Sequence, residues 1–178
     1  MPGDQGALFD AVEEPGADGS GYRGPTACQV AGITYRQLDY WARTGLVEPS
    51  VRPAAGSGSQ RLYGFRDVLV LKVVKRLLDA GVSLQSVRTA VAHLRRLGVD
   101  DLASVTLVSD GTTVYECRSA DDVVDLLAGG QGVFGIAVGR VVGEVRGDLA
   151  ELPVDAPAEQ AAVPTDELAQ RRRRRAVS

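Results

Sequence analysis

Residues 33–47 have the sequence Ile-Thr-Tyr-Arg-Gln-Leu-Asp-Tyr-Trp-Ala-Arg-Thr-Gly-Leu-Val, which predicts a helix with a well-defined start and end. Thr34 and Gln37 fit a capping box, in which the hydroxyl accepts from the third helical amide and the Gln side chain reaches back. The helix is expected to run to Thr44, with Gly45 at its C-terminal cap. This segment is the best-specified element of the chain.

The flanking segments predict a winged helix-turn-helix. Residues 25–31 form a short helix candidate that ends at Gly32, and two short helices joined by a tight Gly turn are typical of a helix-turn-helix. After a long connection rich in Pro, Gly and Ser, residues 60–63 alternate polar with apolar and predict a short wing strand. Two helices with apolar stripes follow, over 65–81 and 83–97.

Beyond Gly98 the pattern predicts a second, smaller unit. Asp110-Gly111 lies between two β-prone runs, which is a strong hairpin signal. Ser119 precedes a run with Asp near its start, as a helix N-terminus does. The predicted elements are strands over 104–108, 112–117 and 133–138 and helices over 120–128 and 138–149. The fold class is therefore α+β, with a small α/β module at the C-terminal side.

The net charge of −3 conceals a steep asymmetry along the 178 residues. Residues 1–21 carry five acids and no bases, whereas residues 22–98 carry twelve basic and four acidic side chains. Residues 99–170 carry three Arg and fourteen acids, and Arg171–Arg175 is a run of five arginines. A basic block bordered by acidic segments is expected of a domain that binds phosphates.

Composition divides the chain into four predicted segments. Residues 1–21 and 153–178 are biased in composition and are predicted to be disordered. Residues 22–98 form the winged helix-turn-helix and residues 99–152 the acidic module. The N-terminus lacks the order of a signal peptide, and no apolar run approaches the roughly 20 residues needed to span a bilayer. A cytoplasmic, nucleoid-associated protein is the expectation.

The predicted helix 34–44 has one apolar and one polar side. Arg can bind guanine in the major groove or clamp a phosphate, and Tyr hydroxyls bind phosphates. Asp39 is unusual here: it accepts from a cytosine amino group or orients Arg36 or Arg43. The alternative to a DNA-binding face is a charged face that only contacts solvent. The basic block and the predicted wing make this alternative less favourable. The apolar side holds Leu38, Trp41 and Ala42, and the polar side Arg36, Asp39, Tyr40 and Arg43.

Three spaced motifs resemble the MerR family of transcription regulators. They are residues 33–47, the wing motif Arg61-Leu62-Tyr63, and residues 77–84 with their Gly-X-Ser-Leu junction. Together they cover residues 22–97. The Leu-Asp-Tyr-Trp variant is similar to actinobacterial MerR-like regulators linked to growth and cell division, the FtsR type.

The resemblance implies a homodimeric regulator that binds double-stranded DNA at an inverted-repeat promoter site, where RNA polymerase is a further partner. Helix 34–44 would enter the major groove, and a wing near 57–63 would contact the backbone. Where the family commonly has Arg, this chain has Asp39, so one contact expected from the family is missing. The predicted DNA-binding residues are Tyr35, Arg36, Gln37, Tyr40, Arg43, Arg61 and Tyr63.

The remaining residues favour no enzyme, metal or cofactor. Cys28 and Cys117 lie far apart and do not supply the clustered thiolates of metal-sensing relatives, so both are interpreted as structural. His93 has no positioned partner for acid–base catalysis. Because residues 99–152 do not continue into a long helix, they are interpreted as a dimerisation or effector module whose ligand is unknown.

Three alternatives stay open at this level. The first concerns function: instead of a transcription regulator, the chain is an architectural, excisionase-like DNA-binding protein or a protein-interaction adaptor on a winged-helix scaffold. Residues 129–132, with three glycines, are a plain turn or a ligand loop. Arg171–Arg175 attracts DNA phosphates, binds the chain's own acidic segments, or adds solubility.

Overall fold

The computed structural model describes residues 19–54, 60–130 and 134–155. Within these ranges the chain forms an α+β fold, as predicted, with all pairing antiparallel. The elements in chain order are β1 (Tyr22–Arg23), α1 (Gly24–Ala31), α2 (Tyr35–Arg43), β2 (Leu62–Tyr63), α3 (Phe65–Asp79), α4 (Leu84–Leu94), α5 (Val99–Ser104), β3 (Thr106–Ser109), β4 (Val114–Cys117), α6 (Ala120–Ala128), β5 (Phe134–Ala137) and α7 (Val138–Ala150).

Helices α1 and α2 form the predicted helix-turn-helix. Gly32 adopts φ +70°, in the left-handed region that favours glycine, and reverses the chain after α1. The capping box at the start of α2 is present, with the Thr34 hydroxyl accepting from the Gln37 amide. Leu38 and Trp41 are buried and hold α2 against the rest of the domain.

The wing is more extensive than the sequence predicted. The strand expected over 60–63 is confined to Leu62–Tyr63, and it pairs with β1, which the sequence did not predict. Arg52 forms a further antiparallel bridge with Leu62. The predicted wing near 57–63 therefore extends back to Arg52, and residues 55–59 lie outside the described ranges.

Helices α3 and α4 match their predicted positions. α3 is the central helix, buried on several sides rather than along a single stripe. Arg66 near its start donates to the backbone carbonyls of Leu94 and Arg95, which end α4. The Leu94 carbonyl also accepts from the Leu97 amide, so the guanidinium reinforces the turn in which α4 ends. The buried residues of α3 are Phe65, Val68, Leu69, Val70, Leu71, Val73, Val74 and Leu77.

The second unit contains one helix that the sequence analysis missed. Residues 99–104 form α5, so the predicted strand over 104–108 begins only at Thr106. Asp100 and Asp101 lie in the first turn of α5, where negative charge is favourable, and Leu102 is buried. Six residues are too few to show a helical period. The Asp110-Gly111 hairpin, α6 and the helix over α7 are confirmed.

The two predicted units share one hydrophobic core. Helix α7 packs against α1, α3 and α5, with its five buried apolar side chains in the same cluster as those of α3. The Arg146 guanidinium lies 5.8 Å from the centre of the Phe65 ring. A boundary near Gly98 stays a prediction, but the two sides of it are not separate in packing.

Part of each segment predicted to be disordered is structured. Gly21 and Asp155 exchange two backbone hydrogen bonds of 2.9 Å, and the Arg23 guanidinium lies 2.7 Å from the Asp155 carboxylate. Residues 19–21 and 153–155 therefore belong to the fold. The rest of both predicted segments, with Arg171–Arg175, lies outside the described ranges. No helix in those ranges is long and apolar enough to cross a membrane.

Candidate DNA-binding surface

Helix α2 presents an exposed polar face beside the wing. The side chains of Tyr35 and Tyr40 are 61% and 46% exposed, which is unusual for large aromatic residues. Arg36 and Arg43 are also exposed. The same helix buries Leu38 and Trp41, so its orientation is set by the core while four chemically suitable side chains face outward.

Gln37 has a structural role at the start of α2. Its carboxamide oxygen accepts from the Thr34 backbone N–H at 2.9 Å and lies 3.2 Å from the Thr34 hydroxyl. The predicted capping box therefore occupies the oxygen of a residue that was also predicted to contact DNA. Only its amide nitrogen remains as a donor for a further partner.

Asp39 joins α2 to the wing. Its carboxylate accepts from Arg61 Nη1 at 2.8 Å and from Arg43 Nε at 2.9 Å. The hydrogen bond from Arg61, and then that from Arg43, holds the pKa of Asp39 below its usual range. This carboxylate was predicted to bind cytosine or to orient Arg36 or Arg43. The structure adds Arg61, whose partner across the fold was not visible in the sequence.

Tyr63 is placed differently from its prediction as a DNA contact. Its side chain is 0% exposed, and its strand partner Tyr22 is buried with it. Burial raises the pKa of Tyr63 to about 12. The alternation of residues 60–63 put Arg61 and Tyr63 on one side of the strand, whereas the core beneath β2 covers Tyr63. We therefore leave Tyr63 out of the candidate surface.

A cavity of about 450 Å³ separates α2 from the wing. Tyr35, Asp39 and Arg61 line it, together with Arg23 from β1. Tyr35 lies against Gly24, where an added Cβ would come within 3.0 Å of the ring. Glycine at this position thus lets the ring approach the start of α1 closely.

Two basic residues at this surface were missed by the sequence analysis. Arg23 lies in β1 next to the cavity, and Arg52 stands at the base of the wing, where its Nε donates to the Gln60 carbonyl at 3.0 Å. The only signal for either was its place in the basic block. Their position depends on the pairing of β1, Arg52 and β2, which joins distant parts of the sequence.

Part of the basic block faces the acidic unit instead of this surface. Lys72 Nζ lies 2.9 Å from Asp148 and 3.5 Å from Glu144, and Arg76 pairs with Glu144. These contacts join α3 to α7. The charge asymmetry of the sequence therefore has two causes, a basic surface around α2 and the wing, and ion pairs between the two units.

Comparison with known proteins identifies the N-terminal part. Residues 22–94, from the first residue of β1 to the last of α4, match the MerR HTH family regulatory protein domain. A relative from Mycobacterium tuberculosis, described as an HTH-type transcriptional regulator, is 66% identical over 157 residues. That match covers 87% of this chain and 70% of the relative. The chain belongs to the MerR family of HTH regulatory proteins. The expectation that it is not an enzyme agrees with this membership.

Other MerR-type relatives match over a shorter length. The HTH-type transcriptional regulator HmrR of Sinorhizobium medicae is 33% identical over 69 residues, 39% of this chain and 45% of that protein. The heavy metal-dependent transcription regulator 1 of Rhizobium meliloti is 32% identical over 66 residues, 37% of this chain and 43% of that protein. The mycobacterial match is more than twice as long, so it also includes residues outside the MerR domain.

The two cysteines of this MerR-family chain are separate in the structure. Cys28 on α1 is half-buried and Cys117 at the end of β4 is buried, and burial raises the pKa of both thiols. Within the described ranges no group of three or more His, Cys, Asp or Glu side chains is arranged to hold a metal ion.

Proposed function

We propose that this chain binds double-stranded DNA sequence-specifically as a homodimer and regulates transcription from an inverted-repeat promoter site. Helix α2 enters the major groove and the wing contacts the adjacent backbone. The observation that carries the proposal is the exposed face of α2, which lies next to a wing guanidinium held by Asp39. Membership of the MerR family supports the same function.

Each residue of the surface has a role that suits its chemistry. Arg36 and Arg43 carry planar donors that bind guanine bidentately or clamp a phosphate. The hydroxyls of Tyr35 and Tyr40 bind backbone phosphates, and Arg61 adds a phosphate contact from the wing. Gln37 contributes its amide nitrogen near the start of the helix, because its oxygen is engaged in the cap.

The acidic unit, residues 99–152, acts as a dimerisation or effector module. A two-fold dimer places two copies of α2 in successive major grooves about one helical turn apart, which requires an inverted repeat in the DNA. RNA polymerase at the same promoter is the expected partner of the bound dimer. The match to the mycobacterial regulator beyond residue 94 supports a shared role for this unit.

Selection of bound DNA from a random pool by the full-length protein, followed by footprinting, tests the proposal. We expect an inverted repeat with two half-sites, and a sedimentation measurement should give two chains per site. Failure to enrich a motif at moderate salt, with the protein folded, contradicts sequence-specific binding. An enriched motif without a repeat, bound by one chain, contradicts the dimer.

Variants then assign the surface. Arg36→Gln should weaken binding to the selected site by about tenfold or more, the cost of one lost bidentate base contact. Arg95→Gln is the matched control, since it removes the same charge from an exposed position at the end of α4. Full affinity in both Arg36→Gln and Arg61→Gln would place DNA binding on another surface, whereas failure to enrich any motif favours the alternative of a protein-interaction adaptor.

A further inference from the structure

A cavity of about 750 Å³ lies between α4 and the β3–β4 hairpin. One wall comes from the MerR domain and the other from the acidic unit, so the cavity forms only where the two units meet. Ser86 from α4 donates to the Thr112 carbonyl in the hairpin, and both residues line the cavity. The size is within the range of small-molecule sites in proteins.

The cavity combines an apolar lining with positive charge. Leu107 and Val114 supply apolar surface, and Arg88 and Arg96 supply two guanidinium groups. Glu116 is the one acid of the lining, and Arg118 Nε donates to it at 2.6 Å. The residues lining the cavity therefore favour a ligand with a negative group and an apolar part, because Glu116 already has a cationic partner.

His93 connects these charges. Arg96 Nη2 lies 2.9 Å from His93 Nδ1, and the Nε2 atom of the same ring faces Glu116. The contact with His93 holds the Arg96 guanidinium at the cavity wall, so an anion would meet a positioned donor.

Arg88 links the cavity to the recognition helix. Its Nη1 donates at 3.1 Å to the carbonyl oxygen of Thr44, the residue that ends α2. The Thr44 hydroxyl in turn donates to the Tyr40 carbonyl at 2.9 Å, one turn back on the same helix. An anion that attracts Arg88 into the cavity competes with this carbonyl and loosens the end of α2.

We propose that the cavity is an effector site for a small organic anion, a carboxylate or phosphate ester with an apolar part, and that Arg88 transmits its binding to α2. Arg96 binds the anionic group, while Leu107 and Val114 bind the apolar part. The effect on DNA rests on the proposed function, whereas ligand binding itself does not. Coupling of this kind requires that the ligand interact differently with the two states of the helix.

Binding is tested by nuclear magnetic resonance on the full-length protein, with benzoate and phenyl phosphate as probes and neutral benzamide as the control ligand. We expect shifts of the Thr89, Thr112 and Val114 amides with either anion, and weaker shifts with benzamide. The two anions distinguish a carboxylate from a phosphate preference. No localised shift with either anion at millimolar concentration overturns the proposal.

Matched variants locate the anion. Arg96→Gln should weaken binding of the better probe by about tenfold, the effect of one lost charge-assisted hydrogen bond. Arg95→Gln removes the same charge from the adjacent exposed position outside the cavity and should leave the affinity unchanged. Equal losses in the two variants would indicate general charge attraction and overturn the assignment of the site.

Coupling is measured separately as DNA affinity with and without the better probe. Saturation should weaken binding of the selected DNA several-fold in the natural chain, and the effect should disappear in Arg88→Gln, which keeps probe binding through Arg96. Localised probe binding with unchanged DNA affinity overturns the role of Arg88. Loss of DNA binding without any probe, with the amide shifts intact, counts against the proposed function and not against the site.

Discussion

The Arg61 guanidinium on the wing donates to the Asp39 carboxylate on α2 at 2.8 Å, although 22 positions separate the two residues. Arg61 is only 22% exposed, because the contact draws it towards the helix. Asp39 also accepts from Arg43. The carboxylate thus sets the spacing of two guanidinium groups that are proposed to face DNA, which gives a physical reason for an acid on this surface.

Asp39→Asn should alter how DNA is bound. Loss of the negative charge leaves Arg43 and Arg61 without a strong partner, so affinity for unrelated DNA should rise a few-fold and the salt slope should steepen by about one. Discrimination between the selected and a scrambled site should fall, because the wing is less well positioned. Fluorescence anisotropy across a salt series measures both quantities.

The control for this variant is Asp79→Asn, which removes the same charge from an exposed position where Asp79 pairs with Lys75 on α3. It should change neither the salt slope nor the discrimination. Equal changes in the two variants would show that only net charge matters.

Loss of the hydroxyl should affect DNA binding at Tyr40 but not at Tyr63. Tyr40→Phe should weaken DNA binding several-fold with little effect on stability, because this exposed hydroxyl is proposed to bind a phosphate. Tyr63→Phe should leave DNA binding unchanged. Its hydroxyl is buried near the Arg61 guanidinium without a well-formed hydrogen bond, so the free energy of unfolding should change by at most about 1 kcal/mol. Fluorescence anisotropy measures the DNA affinity of both variants, and urea unfolding measures their stability. A loss of DNA affinity in Tyr63→Phe would show that Tyr63 belongs to the DNA-binding surface after all.

Two glycines of α7 give a matched test of its packing on α5. A Cβ at Gly139 would lie 2.2 Å from the Ala103 carbonyl oxygen, so Gly139→Ala should lower the free energy of unfolding by about 1–3 kcal/mol. Gly143 has nothing within 4 Å of such a Cβ. Gly143→Ala should therefore raise the free energy by about 0.5–1 kcal/mol, through helix propensity alone. Urea unfolding of the two variants measures the contrast, and equal effects would contradict the close approach of α7 to α5.

The two units should unfold together. Glu144 pairs with Lys72 and Arg76 of α3, so Glu144→Gln should lower the free energy of unfolding by about 1 kcal/mol, discounted for partial exposure. Glu151→Gln, at the exposed end of α7, is the control. Calorimetry should give one transition for the natural chain because the core is shared. Two separated transitions would instead support independent domains on either side of Gly98.

Stability should fall in acid. Hydrogen bonds from the Thr113 and Thr112 amides lower the pKa of Asp110, and those from the Arg118 and Ser119 amides lower that of Asp122. A lowered pKa in the folded state stabilises the fold above the ordinary value of 3.8, and this stabilisation is lost as pH falls through the folded value. Urea unfolding between pH 7 and pH 2 should show the decline below about pH 4. Asp110→Asn should reduce its steepness, and an unchanged profile would contradict the assignment.

Local chemistry was predictable wherever a few neighbouring residues determine the backbone. Thr34 with Gln37, Asp110 with Gly111, and Ser119 form caps and a turn within three or four positions, and the structure confirms each of them. The helical spacing of the apolar residues in 138–149 also predicted α7 correctly, despite the glycines in this segment. The short helix α5 was not predicted because it spans less than two turns.

The sequence by itself determined the helix-turn-helix, the exposed face of α2 and the family motifs, since these depend on contacts between residues close along the chain. Only the tertiary structure decided which basic residues remain at that face. It buried Tyr63, paired Arg61 with Asp39, turned Lys72 and Arg76 towards α7, and joined Gly21 to Asp155. Burial and ion pairing between distant segments depend on how the elements pack. The periodicity of residues along the chain does not predict that packing.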